Sequence, residues 1–307
     1  MINGIDNAFD LFVSSFKIFW KYPVLIIPIF IVWMVYAPML IYMKWHFPWD
    51  HYNFTGQLIF LYLFIYIIAL LLTFSCSILL ELIQQYETGN KFNFWGALNE
   101  SLTKNIAHIV ILAILWSFIW FVLVFIQMIL SKKKSNSGDK TTENIARTLA
   151  GHNEYSFWSS SIEMIKKGVR MAVFLIMPSS AWEDLGLRDS YKRGMQILRQ
   201  RKTAFIAGFS ISFIINFLLF FYPSMMFLMS KNGVEFSEMS WYVCILYIGI
   251  AWSYSIYLEQ MFAAELYLWQ MKYEKEVAEA KRTGDKIPEF NDIKRPFVLD
   301  EIPDLIE

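Results

Sequence analysis

Long apolar runs alternate along this chain with shorter segments in which apolar and polar residues are interleaved. Five runs, near Tyr22–Met43, Gln57–Leu80, Ile106–Leu130, Thr203–Met229 and Trp241–Met271, are almost free of charge. A helix needs about 20 mostly apolar residues to cross a hydrocarbon core about 30 Å thick. Each run meets that length and predicts a transmembrane helix. A sixth stretch, Phe157–Ala181, is cleanly apolar only over Met171–Met177. Its first half holds Glu163, Lys166, Lys167 and Arg170, whose spacings of three, four and seven put all four on one helical face.

Three interleaved segments separate these runs. Ile5–Trp20 carries Phe9, Phe12, Phe16 and Phe19 at helical spacing, with Asp6, Asp10 and Lys17 between them. Phe94–Asn105 and Leu187–Lys202 are of similar size. Such amphipathic helices fit in the plane of the headgroups. The order therefore reads as three units of one surface helix and two spans, over residues 5–84, 92–181 and 183–271. Lys21, Lys104 and Lys202 mark the step from surface helix to span. The three units make one membrane domain, 1–271, and their symmetry requires Phe157–Ala181 to cross. The fold class expected is an all-α polytopic bundle of about six transmembrane helices with three interfacial helices.

The positive-inside rule orients that bundle. With the amino terminus inside, the cytoplasmic segments hold 17 of the 27 Lys and Arg, and the outer loops hold 7. Both termini are thus expected in the cytoplasm of a cell-membrane protein. Lys132–Lys134, just after the third span, is the contrary signal. The stretch 131–156 is rich in Ser, Asn, Gly, Lys and Thr and predicts a flexible polar loop. Residues 272–307 predict a charged cytoplasmic tail. The tail starts as a continuation of the last helix and ends in the alternating apolar and acidic Phe297–Glu307. No cleavable signal peptide is expected, because Asp6 and Asp10 interrupt the first 20 residues. Tyr22, Trp45, Trp49, Tyr52, Phe54 and Trp241, near span ends, predict an aromatic belt.

Composition agrees with a bilayer solvent. Apolar residues make up 56% and charged residues only 18%, against about 25% charged in soluble domains. Net charge is zero, so the whole chain suggests no nucleic-acid partner. Cys76 and Cys244 lie in apolar runs and predict buried thiols, neither a disulfide nor a zinc site.

The sequence carries no Gly-rich phosphate loop, nucleophile elbow or His-Glu-x-x-His motif. His46, Asp50 and His51 share a loop without the spacing of a metal site, and no cofactor is expected. Ionisable residues inside spans are the strongest functional pointers in a membrane protein. The candidate intramembrane polar site comprises Glu163, Lys166, Lys167, Arg170, Glu81, Glu259 and Glu265. Arg170 would fall near mid-bilayer and should face the bundle or a wet cavity. Glu81, Glu259 and Glu265 lie toward cytoplasmic span ends and are expected to neutralise the basic segment 188–202. Arg188, Lys192, Arg193, Arg199, Arg201 and Lys202 form a cationic helix suited to anionic lipid. Ser75, Ser77, Ser210, Ser212 and Asn216 are expected to hydrogen-bond between helices.

The run Leu80–Lys104, with Glu87-Thr-Gly-Asn-Lys-Phe-Asn-Phe-Trp-Gly-Ala-Leu, resembles an uncharacterised prokaryotic family of six-span membrane proteins. So do Met177-Pro-Ser-Ser-Ala-Trp-Glu-Asp-Leu-Gly-Leu-Arg-Asp-Ser190 and Phe262-Ala-Ala-Glu-Leu-Tyr-Leu-Trp269. The likeness covers about residues 5–272. It implies architecture and no activity, and this chain departs from it at Lys166–Arg170, where the family is more apolar.

The leading functional expectation is a non-enzymatic scaffold, assembly or envelope component. Its expected partners are the bilayer, anionic lipids, and a second copy or another membrane protein. A transporter or channel using a polar groove around Arg170 is the first alternative. A lipid-modifying enzyme, drawn from the basic face beside Glu81 and Glu259, is the second.

Overall fold

The computed structural model describes residues 2–87, 91–132 and 157–293. The expected polar loop, apart from its first two residues, and the tail beyond residue 293 lie outside the described residues. The described chain is an all-helical bundle of nine helices. In order they are α1 (Ile2–Lys21), α2 (Ile27–Trp45), α3 (Phe54–Glu87), α4 (Phe94–Thr103) and α5 (Ile106–Lys132). Then follow α6 (Phe157–Trp182), α7 (Leu187–Gln200), α8 (Lys202–Lys231) and α9 (Glu238–Thr283).

Helix α2 together with the turn 23–26 before it, and helices α3, α5, α8 and α9, contain the five segments long and apolar enough to cross a membrane. The chain is therefore a multi-pass membrane protein. Helix α6 is long enough too, at 26 residues, but its charged face removes it from that set. Local chemistry fixes several ends. Pro23 opens a 3-10 turn, Pro23–Ile26, that leads into α2. Asn93 caps α4 by accepting from the Gly96 amide, and Ser237 caps α9 by accepting from Ser240. Gly284, at φ +80°, closes α9 in the left-handed conformation that glycine adopts without steric cost.

Helix α9 is the hub. Every residue from Ser255 to Gln270 is buried, on all sides of the helix, because α1, α2, α6 and α8 all pack around it. Phe12 of α1 stacks on Phe262 at 5.1 Å, and Gly208 of α8 lets the same ring lie against its backbone.

Packing follows the order of the elements. Each short helix lies on the second long helix of the preceding trio: α4 on α3, α7 on α6, and α1 on α9 as well as α8. Small polar residues line these seams. Ser15 Oγ donates to Glu265 Oε1 at 3.1 Å, and Ser77 Oγ donates to Ser101 Oγ at 3.1 Å. Gly194 of α7 sits against the Ile176 backbone of α6. The short helices thus bury their inner faces in protein. Phe9, Phe16 and Trp20 of α1 and Trp95 of α4 remain exposed on the outer faces. Long helices meet between trios along α3/α5 and α9/α2. The corresponding pair α6/α8 forms no comparable seam, and the bundle opens there.

The aromatic residues at span ends do not all form a belt. Trp49 is buried and donates its Nε1–H to the Met43 carbonyl at 2.8 Å. With Phe47, Tyr52 and Phe60 it plugs the turn between α2 and α3.

Candidate functional site

The open α6/α8 seam is a groove of about 350 Å³. Trp116 and Trp120 of α5 line it with Glu163, Met164, Lys166, Lys167 and Arg170 of α6. Phe213, Asn216 and Phe217 of α8 complete it. These positions lie midway along α5 and α8 and in the first half of α6. Met164, Phe213 and Phe217 are exposed on the outer surface, so the groove opens sideways, not along the bundle axis.

The charged face of α6 divides between two neighbours. Arg170 donates Nε to Glu259 Oε2 at 2.8 Å and Nη2 to Oε1 at 3.0 Å. Ser212 Oγ adds a bond to Glu259 Oε1 at 3.1 Å. Glu259 itself is fully buried on the hub helix. One turn before Arg170, Lys166 Nζ donates to Glu163 Oε1 and to Gln127 Oε1 of α5, both at 2.8 Å.

Lys167 is the least satisfied member. Its Nζ is 3.3 Å from Glu259 Oε1, an ion contact without a well-directed hydrogen bond. The ammonium lies 5.9 Å from the Phe209 and Phe213 ring centres, and its side chain is only 9% exposed. Aromatic faces attract a cation weakly at that distance, but they accept no directed hydrogen bond from it. Among the described residues three cations meet two carboxylates, Glu163 and Glu259, which leaves one positive charge in excess.

The other expected site residues lie apart from this groove. Glu81 accepts from Asn105 Nδ2 at 2.9 Å, where α3 meets the α4–α5 turn. Glu265 accepts from Ser15. These contacts of Glu81, Glu259 and Glu265 are with other parts of the bundle and not with residues 188–202, which they were expected to neutralise. The spacing along the chain identified the three buried carboxylates, but tertiary packing turned each toward another helix.

The basic helix finds acids of its own. Arg193 makes a bidentate pair with Glu274, at 2.9 and 2.7 Å, and reaches Glu183 Oε1 at 3.3 Å. Tyr267 also donates to Glu183. The Glu274 hydrogen bonds hold the Arg193 guanidinium protonated well above its ordinary range. Arg201 donates to Gln270 Oε1 at 2.7 Å and lies 3.2 Å from the Phe290 ring centre, where burial lowers its proton affinity. Arg193 and Arg201 are thus turned into the protein. Arg188, Lys192, Arg199 and Lys202 remain exposed.

Sequence reasoning missed Gln127, Trp116 and Trp120 as parts of the site. Gln127, an amide near the end of an apolar span, was the available signal. Ser212 and Asn216 were marked as interhelical bonding groups, and both are: Asn216 Oδ1 accepts from Ser255, and Ser212 bonds Glu259. Ser210 instead bonds the Ile206 carbonyl of its own helix. Cys76 and Cys244 are buried free thiols. Among the described residues, no group of three His, Cys, Asp or Glu is placed to hold a metal.

No family profile, curated protein or solved structure matches the chain, so the resemblance seen in the sequence lends the site no role.

Proposed function

We propose that this protein crosses the membrane six times, with α6 as the sixth crossing, and that its work is done in the α6/α8 groove. The groove binds a polar molecule inside the bilayer, as a transporter or lipid-handling protein requires. One observation carries this reading: a charge-lined cavity opens sideways midway along long apolar helices. Ionised side chains at such a depth are costly, and they persist where they face a cavity, a partner or a substrate path. A helix serving only to pack there would be cheaper if apolar, because a buried ion pair rarely stabilises more than well-packed hydrophobes of the same volume.

A sixth crossing is physically allowed. At about 1.5 Å per residue, α6 is longer than a hydrocarbon core of about 30 Å. Arg170, Lys167 and Lys166 all find acceptors or acids within the bundle. Both termini then share one side, and the 17 to 7 distribution of cations supports the cytoplasmic side of a cell membrane. The scaffold role expected from the sequence has no comparable feature to argue from.

Cysteine accessibility tests the groove. Met164→Cys should react with a water-soluble maleimide in intact membranes. Leu218→Cys, on the exposed outer face of α8, should react only with a lipid-soluble reagent. Equal inaccessibility of Met164→Cys and Leu218→Cys to water would refute a wet groove. The native Cys76 and Cys244 are fully buried and give a quiet background.

A further inference from the structure

Resting on the groove reading above, we infer that the group bound there is a single anion of the phosphate or carboxylate type, and that Glu259 is its internal competitor. Two independent observations point the same way. The first is the charge imbalance. Among the described residues, Lys166, Lys167 and Arg170 face only Glu163 and Glu259, and no further acid lines the groove. An unmatched positive charge midway along apolar helices is expensive, and one bound anion removes it.

The second observation is Lys167. Its side chain is more than nine-tenths buried, lines the groove and has no directed acceptor for its ammonium protons. A buried charged donor without an acceptor costs more than a neutral one. An oxyanion above Lys167 would receive those protons. It would also sit close to the exposed edge of Arg170, whose side chain keeps 21% exposure beside its Glu259 pair.

The surroundings say what the anion is attached to. The walls are Trp116, Trp120, Phe213 and Phe217, and two of these rings face outward. Such a slot suits a headgroup whose acyl chain remains in the bilayer. A free anion arriving through water has the same head chemistry, so the two sources must be told apart by experiment.

Glu259 gives the inference its sharpest consequence. The carboxylate already neutralises part of the charge on Arg170 and Lys167 that an incoming anion would meet. Removing its charge should therefore strengthen anion binding, and removing Lys167 should weaken it. A purely structural ion cluster has no such opposition of sign.

The test uses the full chain purified into nanodiscs of phosphatidylcholine containing a minor fraction of phosphatidylglycerol. Native mass spectrometry then counts retained lipid and retained probe. Dodecyl phosphate, dodecylphosphocholine and inorganic phosphate are added in separate arms. One anionic amphiphile per chain is expected on the wild type. Retention should fall about tenfold in Lys167→Met, the scale of one charge-assisted contact, and recover in Lys167→Arg. It should rise in Glu259→Gln. Should that variant fail to fold, Glu163→Gln, on a side chain 43% exposed, adds the same unit of charge and should also raise retention. Dodecyl phosphate outcompeting inorganic phosphate identifies a membrane-borne ligand, and equal competition identifies a water-borne one. Dodecylphosphocholine, with no net charge, should show no dependence on either variant. Unchanged anion retention in Lys167→Met, or a fall in both carboxylate variants, overturns the inference. If Met164→Cys is reached by the water-soluble reagent while anion retention ignores all variants, the groove stands and only its anionic ligand is lost.

Discussion

Arg170 grips Glu259 side-on across the contact of α6 with α9, through two hydrogen bonds of 2.8 and 3.0 Å between residues 89 apart in sequence. Fork-to-carboxylate geometry of this kind is the strongest form of ion pair. Here it joins the charged face of α6 to the hub of the bundle.

Breaking that pair from its two ends should have unequal costs. Glu259→Met leaves Arg170 and Lys167 facing each other without a carboxylate. Arg170→Met leaves Glu259 still in contact with Lys167 at 3.3 Å. Removing one partner of a buried pair typically costs about 3–5 kcal/mol. Glu259→Met is expected at or above that range and Arg170→Met below it. The double variant should be more stable than Glu259→Met alone. Thermal unfolding in a fixed detergent reads all three, and equal losses from the two single variants would contradict the shared role of Lys167.

Much of this architecture was legible because length and apolarity are local properties. Five spanning segments, the three short amphipathic helices and the extension of α9 past Met271 can all be placed from runs of residue type. The face formed by Glu163, Lys166, Lys167 and Arg170 was equally legible from helical spacing. Its partners were not. Periodicity says that four side chains share a face, but not that Gln127 takes one end and Glu259 the other. Glu259 looked like a counter-ion for the basic helix because both sit toward the same end of the chain's spans. Arg193 instead found Glu274, on a part of α9 that the sequence assigned to the tail. Window-averaged hydropathy also hides α6, because its one charged face lowers the mean of an otherwise apolar helix.

Two glycines should be intolerant of a methyl group for different reasons. A Cβ on Gly208 would lie 2.1 Å from Phe262 Cζ, and that ring is already stacked on Phe12. A Cβ on Gly194 would lie 2.9 Å from the Ile176 Cα, a backbone atom that no rotamer change can move. Overpacking of this kind costs about 1–3 kcal/mol. Gly208→Ala should be partly rescued by Phe262→Leu, which shortens the obstructing side chain. Gly194→Ala should not be rescued by Ile176→Ala, because the backbone contact remains. Thermal stability of the four variants checks this, and full rescue at Gly194 would show that α7 is free to slide on α6.

Arg193 and Lys192 are neighbours with opposite expectations. Lys192 pairs with Asp189 at the surface, both side chains being 60% or more exposed, and such pairs contribute little. Arg193 is 16% exposed and bridges Glu183 and Glu274. Lys192→Gln should be neutral within about 0.5 kcal/mol. Arg193→Lys keeps the charge but loses the fork, and should cost about 1–2 kcal/mol after allowing for the part-exposed Glu274. Raising salt should leave the gap largely intact, because part-buried pairs are screened less than exposed ones. A gap that closes in high salt would place the Arg193 pair with the ordinary surface bridges.

The topology of α6 decides the most. If α6 crosses, the segment 133–156 lies on the opposite side of the membrane from α7, and the two ends of the chain share one side. If α6 lies within one leaflet, segment 133–156 and α7 share a side, and the ends of the chain fall on opposite sides. Reporters for the two compartments, fused within 133–156 and after residue 293, separate these cases in a single strain. Six crossings predict opposite signals from the two fusions, whereas five predict the same signal. Physical chemistry favours the former. In α6 the cations sit in the first half and the buried residues Phe174, Leu175, Ile176 and Met177 in the second. A helix stopping halfway would have to leave those apolar residues at the surface or draw Lys166 and Arg170 away from Gln127 and Glu259. Substituting Glu259→Met should then weaken the crossing itself, because Arg170 would lose both the acid and any polar acceptor that accommodates it at that depth. A mixed signal from the reporter after residue 293 in that variant, against a single signal in the wild type, is the expected result.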